Sequence, residues 1–213
     1  MKKPIIIHLL GSDEVLKTQS FLLKRAITKR HRTKGDSSMK VVEIHCPDYS
    51  MPTGTRIKDY IEKNNSAERL TPNDFYLAVV RNQIQVQKEK LVKTGLINES
   101  DLIIVSIYNP ASQAYSLTKG VSKQELLNMT AGELFEPDLC ILLDKPAMPI
   151  LEHGHPTEDD SEYKEAKKVR LAQKELAMIF QWEIIDALDE VERVHDHVFR
   201  LVSSQLESLM VPA

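Results

Sequence analysis

The residues with the most chemical potential stand near the start of the chain, where the apolar run "IIIHLL" gives way to "GSDEVLKT". Gly11, Lys17 and Thr18 meet three of the four fixed positions of G-x-x-x-x-G-K-[ST], the loop that wraps nucleotide phosphates. In that reading the backbone N–H groups of Gly11, Ser12 and Asp13 converge on an anion, helped by the positive end of the helix that follows. Lys17 brings a point charge to the terminal phosphates, Thr18 holds Mg²⁺ through its hydroxyl, and Gln19 completes the cofactor-binding stretch. Leu16 breaks the pattern where glycine lets backbone approach phosphate with no Cβ in the way. If that position needs a positive φ, leucine costs about 1–2 kcal/mol there. Glu14 repels a triphosphate unless a lysine or a metal neutralises it. An ordinary strand-to-helix turn with a surface lysine accounts for the same residues.

Other side chains further along could do chemistry. Asp48 beside Pro47 either contacts Mg²⁺ indirectly or serves turn geometry. Phe75, Tyr76 and Tyr115 could stack on a nucleobase, although aromatic residues at helical spacing also build cores. Arg81 and Arg170 are cations placed to meet phosphate, with Lys145 and Lys119 as further candidates; a part-buried salt bridge is the other reading of Arg81. His153, His155, Glu158, Asp159 and Asp160 fit no zinc spacing and read as a charge-rich loop.

Five short apolar runs would have to position these groups: residues 4–10, 40–45, 101–107, 138–143 and 182–187. Near-continuous hydrophobicity of this length fits strands covered on both faces, as in a parallel sheet. Helical stretches separate them. Residues 19–31 carry Phe21, Leu22, Leu23 and Ala26. The stretch 71–95 opens on a capping threonine followed by proline and ends at Gly95. Near the C-terminus Val191, Val194, Val198, Leu201, Val202 and Leu206 share one helical face. Alternating strands and helices imply right-handed βαβ units, hence a three-layer α/β/α sandwich around a five-stranded parallel sheet.

The bulk numbers agree with a single domain. A chain of 213 residues can bury a substantial core, and 42% apolar with 28% charged residues excludes disordered and fibrous classes. A net charge of -3 gives no global reason to expect nucleic acid or an acidic membrane as partner, and the basic run at 24–35 reads as a helix end and loop. Two widely separated cysteines, Cys46 and Cys140, make no disulfide framework and point to a reducing compartment. The opening "MKKPIIIHLL" is too short in its apolar part for a signal peptide, and no stretch reaches membrane-spanning length. The expectation is a soluble cytoplasmic protein.

Taken in order, several motifs resemble the thymidylate kinase family of P-loop nucleoside monophosphate kinases. The first is Gly11, Asp13, Lys17 and Thr18; the second is Pro47-Asp48 followed by Gly54, Ile57, Tyr60 and Ile61. Arg81 remains of the helix motif A-x-R, with Val79 in place of alanine, and Tyr108, Ala114 and Tyr115 occupy D-R-Y-x-x-S-x-x-A-Y. "EPDLCILLDKP" and "WEIIDALDEVERVH" match the late strands, so the resemblance spans nearly the whole chain. Departures are concentrated where phosphate would sit: Glu14 and Leu16 replace glycines, Tyr49 an arginine, Ser106-Ile107 an Asp-Arg pair, and Ala111 a serine.

The resemblance implies a P-loop kinase fold over residues 1–213, with a lid-like segment at 152–168. It implies transfer of the γ-phosphoryl of ATP, with Mg²⁺, to a deoxynucleoside monophosphate, dTMP first among them. Lys17, Arg81 and Arg170 would then be catalytic; Asp48, Phe75, Arg81, Tyr108 and Tyr115 would hold the acceptor, and Thr18 and Asp48 the metal. The alternative is a non-catalytic nucleotide-binding or scaffold protein on the same fold. The family commonly forms homodimers through helices beside the sheet, and residues 76–86 offer an apolar face for that or for intramolecular packing.

Overall fold

The five apolar runs form five strands. The computed structural model describes residues 3–33, 39–61, 71–108, 117–118, 120, 122, 124, 135–146, 151–152, 155–156 and 161–210. Strands β1 (Ile5–Gly11), β2 (Val41–Cys46), β3 (Leu102–Tyr108), β4 (Leu139–Asp144) and β7 (Glu183–Asp186) lie in the order β2-β3-β1-β4-β7, and every pairing is parallel. The expected five-stranded parallel sheet is present. A short antiparallel pair, β5 (Leu151–Glu152) with β6 (His155–Pro156), falls in the stretch expected as a lid. Residues 153–154 and 157–160 of that stretch lie outside the described residues.

Alternate side chains of the central strand explain the layers. Ile5, Ile7 and Leu9 point to one face, where they join Leu16, Leu23 and Ile27 of α1 (Asp13–Thr33). The final helix α6 (Val191–Met210) closes that layer with Val194, Val198, Val202 and Leu206. Val191, expected on the same buried face, is instead exposed at the helix start. Ile6 points the other way, towards Ile44, Ile103, Val105, Val86 and Leu91. Full burial of such aliphatic side chains contributes roughly 1.5–3 kcal/mol each, which is why these runs become strands in the middle of the molecule.

Helix α1 starts at Asp13, not at Gln19. No glycine or proline interrupts residues 13–18, and Leu16, Leu23 and Ile27 extend one buried stripe back to the first turn. Leu16 N–H donates to the Ser12 carbonyl at 2.9 Å and closes that turn.

Helix α2 (Pro52–Ile61) packs on α3 (Pro72–Val86) through Ile57, Phe75, Ala78 and Val79. The expected cap of α3 is present: the Thr71 hydroxyl accepts from Asp74 N–H and the Asp74 carboxylate accepts from Thr71 N–H. The helix does not run unchanged to Gly95. It widens into a π turn, Gln87–Val92, before Gly95 takes φ 76° and ends it. Val86 and Leu91 are both buried in one cluster, and a five-residue spacing returns to one face when the turn closes i to i+5. The short α4 (Leu96–Glu99) leads into β3, and α5 (Ser161–Ile179) precedes β7. Among the described residues, no helix is long and apolar enough to cross a membrane. Both cysteines are free thiols.

Candidate functional site

A cavity of about 410 Å³ opens at the carboxyl ends of β2 and β3, beside the first turns of α1. Crevices at that end of a parallel sheet, where strand order reverses, are where such folds take ligands. Lys17 and Asp48 both line it, so two of the expected site residues do meet. His45, Tyr49, Lys90 and Ser106 contribute further polar wall.

Asp48 is the most tightly organised group there. Its Oδ1 accepts from Ser50 N–H at 2.9 Å and from the Ser50 hydroxyl at 2.6 Å, and Lys90 pairs with Oδ2. Burial alone would raise its carboxyl; the hydrogen bonds from Lys90 and Ser50 outweigh that and hold it at about 2. Asn82, fully buried on α3, fastens the backbone: its Oδ1 accepts from Asp48 N–H at 2.8 Å and its Nδ2 donates to the Asp48 carbonyl at 3.2 Å. Nδ2 also donates to Thr53 Oγ1 at 3.0 Å, and Thr53 donates to Gln85 Oε1 at 2.6 Å. Gly54 is obligatory in this corner, since a Cβ there would lie 1.8 Å from the Asp48 carbonyl oxygen.

On the sheet side of the cavity, Ser106 of β3 neighbours its register partner His45 on β2. Ser106 is 2% exposed, and its hydroxyl finds no hydrogen-bond partner among the described residues. His45 Nε2 lies 3.3 Å from Glu43 Oε1, and this contact, against the opposing effect of burial, lowers the Glu43 carboxyl below its ordinary value.

The donor-phosphate side is built differently from the expectation. Gly11 ends β1 and residues 13–18 are helix, so Ser12 alone connects strand to helix and no loop wraps an anion. Gly11 is pressed against Leu143, whose carbonyl oxygen would lie 3.0 Å from a Cβ at that position. Leu16 is 1% exposed and belongs to the core. Thr18 donates its hydroxyl to the Glu14 carbonyl at 3.0 Å. Gln19 is buried and donates to the Val191 carbonyl at 3.0 Å, tying α1 to α6 instead of facing a cofactor. Glu14 approaches Lys145 at 3.5 Å on the surface. An acid, Glu14, already stands in the first turn of α1, where the helix dipole favours negative charge. A polyphosphate would meet that acid as a competitor.

Arg170 is not directed to this cavity. It grips Asp144 at the end of β4 with Nε on Oδ1 at 2.5 Å and NH2 on Oδ2 at 2.9 Å, and Lys174 adds a contact at 3.1 Å. Burial would raise the Asp144 carboxyl, but Arg170 and Lys174 lower it on balance. Arg81 is exposed on α3 and does not line the cavity; its charge acts on Asp74. Phe75 is buried against Ile57, Ala78 and Val79. Tyr108 ends β3 opposite Gly11; its side chain, that of Asp13, that of Tyr76 and the whole of Tyr115 lie outside the described residues.

The residues expected to hold Mg²⁺ do not fit it. Such an ion takes one or two carboxylates with waters and substrate oxygens. The Asp48 carboxylate is already engaged on both oxygens, and the Thr18 hydroxyl is turned to its own helix. Among the described residues no group of three His, Cys, Asp or Glu side chains is arranged to hold a metal. Lys90, Asn82 and Lys174 escaped sequence reading. Only Asn82 left a signal, as an amide within the apolar stretch "LAVVRNQIQV".

Comparison with known proteins places these features in a family. The thymidylate kinase family matches over residues 24–198, a stretch that begins downstream of residues 11–18. The chain is 30% identical over 125 residues to a protein named probable thymidylate kinase of Pyrococcus abyssi, covering 56% of this chain and 60% of that one. A protein of the same name from Thermococcus kodakarensis is 28% identical over 123 residues, covering 55% and 59%. The chain thus spans about 60% of the length of the curated relatives it matches. With a five-stranded parallel sheet, the ordered motifs along it and a family match over most of its length, the chain belongs to the thymidylate kinase family.

Proposed function

We propose that the chain is a nucleoside monophosphate-binding member of this family that does not transfer a phosphoryl group from ATP. The observation that carries this reading is the start of α1 at Asp13 with Leu16 in the core. Phosphoryl transfer rests on positioning and on cations that neutralise the moving group. A loop whose residues are committed to a helix, and an Arg170 committed to Asp144, supply neither. The cavity beside Lys17, Tyr49, Lys90 and Ser106 remains, and with dTMP as first candidate it offers hydroxyl, ammonium and aromatic groups to a monophosphate.

A coupled ATP-consumption assay with dTMP and other monophosphates tests the reading. The expected result is no turnover above background for any acceptor. Turnover that Lys17→Ala abolishes would overturn it. That second outcome would favour ATP- and Mg²⁺-dependent phosphorylation of dTMP, a reading supported by family membership and by the meeting of Lys17 and Asp48 in one cavity.

A further inference from the structure

Building on the reading of the cavity as a monophosphate site, we infer that Lys90 and Ser106 are the groups that grip the phosphate of the ligand, with Lys17 opposite them. Neither belongs to a phosphate-binding motif. Lys90 reaches the cavity because α3 widens into the π turn Gln87–Val92, a rare geometry that recurs at functional sites. An uninterrupted α-helix would turn residue 90 in another direction relative to Val86, since its period is 3.6 residues.

Among the described residues, the ammonium is held in place by Asp48. Asp48 takes the Lys90 contact, and Asp48 is itself fixed by Ser50 through two hydrogen bonds and by Asn82 through its backbone. A lysine ammonium carries three donors, so donors remain for a second anion once the carboxylate has its share. The Lys90 side chain is 46% exposed at the cavity, compatible with a ligand reaching it. The other carboxylate on the wall, Glu43, takes a contact from His45 Nε2 at 3.3 Å, while Asp48 is paired with the Lys90 ammonium itself.

Ser106 is the independent observation. Its hydroxyl is buried on the cavity wall without a partner, and leaving such a donor unsatisfied costs about 1–3 kcal/mol. A phosphate oxygen in the cavity would accept that hydrogen. The ligand class is a phosphate monoester whose organic part extends towards Tyr49.

Calorimetry on the full chain with dTMP and with thymidine, plus thermal shift with inorganic phosphate, tests the assignment. Lys90→Gln is expected to weaken dTMP about tenfold or more and thymidine hardly at all, because a charge-assisted contact is lost only from the phosphate. Lys90→Arg is expected to keep most of the affinity, which also controls for the loss of the Asp48 pair. Ser106→Ala is expected to weaken dTMP by roughly fivefold. Inorganic phosphate should raise the melting temperature of the native chain and not of Lys90→Gln. If Lys90→Gln weakens dTMP and thymidine equally, or leaves both unchanged, the assignment falls while the monophosphate reading stands. If the native chain binds neither dTMP nor phosphate, both fall together.

Discussion

Arg170 and Asp144 form a two-point ion pair across the end of β4, with Nε at 2.5 Å and NH2 at 2.9 Å from the two carboxylate oxygens. The family resemblance places an arginine in this region as a phosphate contact, and the fold supplies an internal carboxylate for it. The Asp144 side chain is 8% exposed and Arg170 30%, so the pair is partly shielded from solvent screening.

Replacing Asp144 by alanine should therefore strand Arg170 and Lys174 beside each other. A loss of about 2 kcal/mol is expected, below the figure for fully buried pairs because both cations keep contact with water. Urea unfolding of Asp144→Ala and Asp144→Asn measures it. Since the folded carboxyl is lowered, its contribution is present above the ordinary aspartate value and is lost as pH falls through the depressed one. The native chain should lose this increment in acid, whereas Asp144→Asn should not.

Restoring glycine at position 16 offers a sharper contrast between loop and helix. Leu16→Gly deletes a core side chain and adds a flexible residue to α1, with an expected cost of roughly 3–5 kcal/mol. If the chain were a phosphate loop spoiled by one leucine, the same change would improve ATP binding. Equilibrium unfolding with an ATP titration distinguishes the two outcomes.

Gly54 should tolerate no side chain. Its absent Cβ would overlap the Asp48 carbonyl, backbone that cannot rotate away. Gly54→Ala is expected to destabilise the chain by more than about 2 kcal/mol and to weaken monophosphate binding, as the Asp48 corner shifts. Gly120 at φ 91° meets nothing within 4 Å among the described residues, so Gly120→Ala should show backbone strain alone and leave binding intact.

His8 gives a pH-dependent signature from the core. Burial lowers it to about 4, and its Nε2 has no hydrogen-bond partner among the described residues. The unfolded chain then binds the proton first, so stability is full above about pH 6.5 and falls as pH drops towards 4. The loss over that window should reach about 3 kcal/mol, and His8→Gln should flatten it. Chemical unfolding at several pH values checks the slope.

Much of the architecture could be read from the chain because strands and capped helices announce themselves locally. The five apolar runs fell within a residue or so of the strands, and Thr71 and Pro72 marked their helix start. The site was less legible because its decisive contacts join residues far apart in sequence. Whether Leu16 faces phosphate or core depends on Ile7, Leu9 and the α6 valines behind it. Arg170 finds Asp144 and Lys90 finds Asp48 only once the helices have packed. The π turn that aims Lys90 leaves no mark in composition. The absence of the inner loop glycine and of the arginine at position 49 was visible in the sequence, but not what had taken their place.

The central claim, that residues 11–18 no longer form a phosphate loop, meets its most direct test in a calorimetric titration of the native chain with Mg²⁺-ATP and, separately, with dTMP. The expected result is saturable heat with dTMP and none with Mg²⁺-ATP up to millimolar concentrations, roughly the weakest range such titrations reach. Saturable binding of Mg²⁺-ATP that disappears in Lys17→Ala would contradict it.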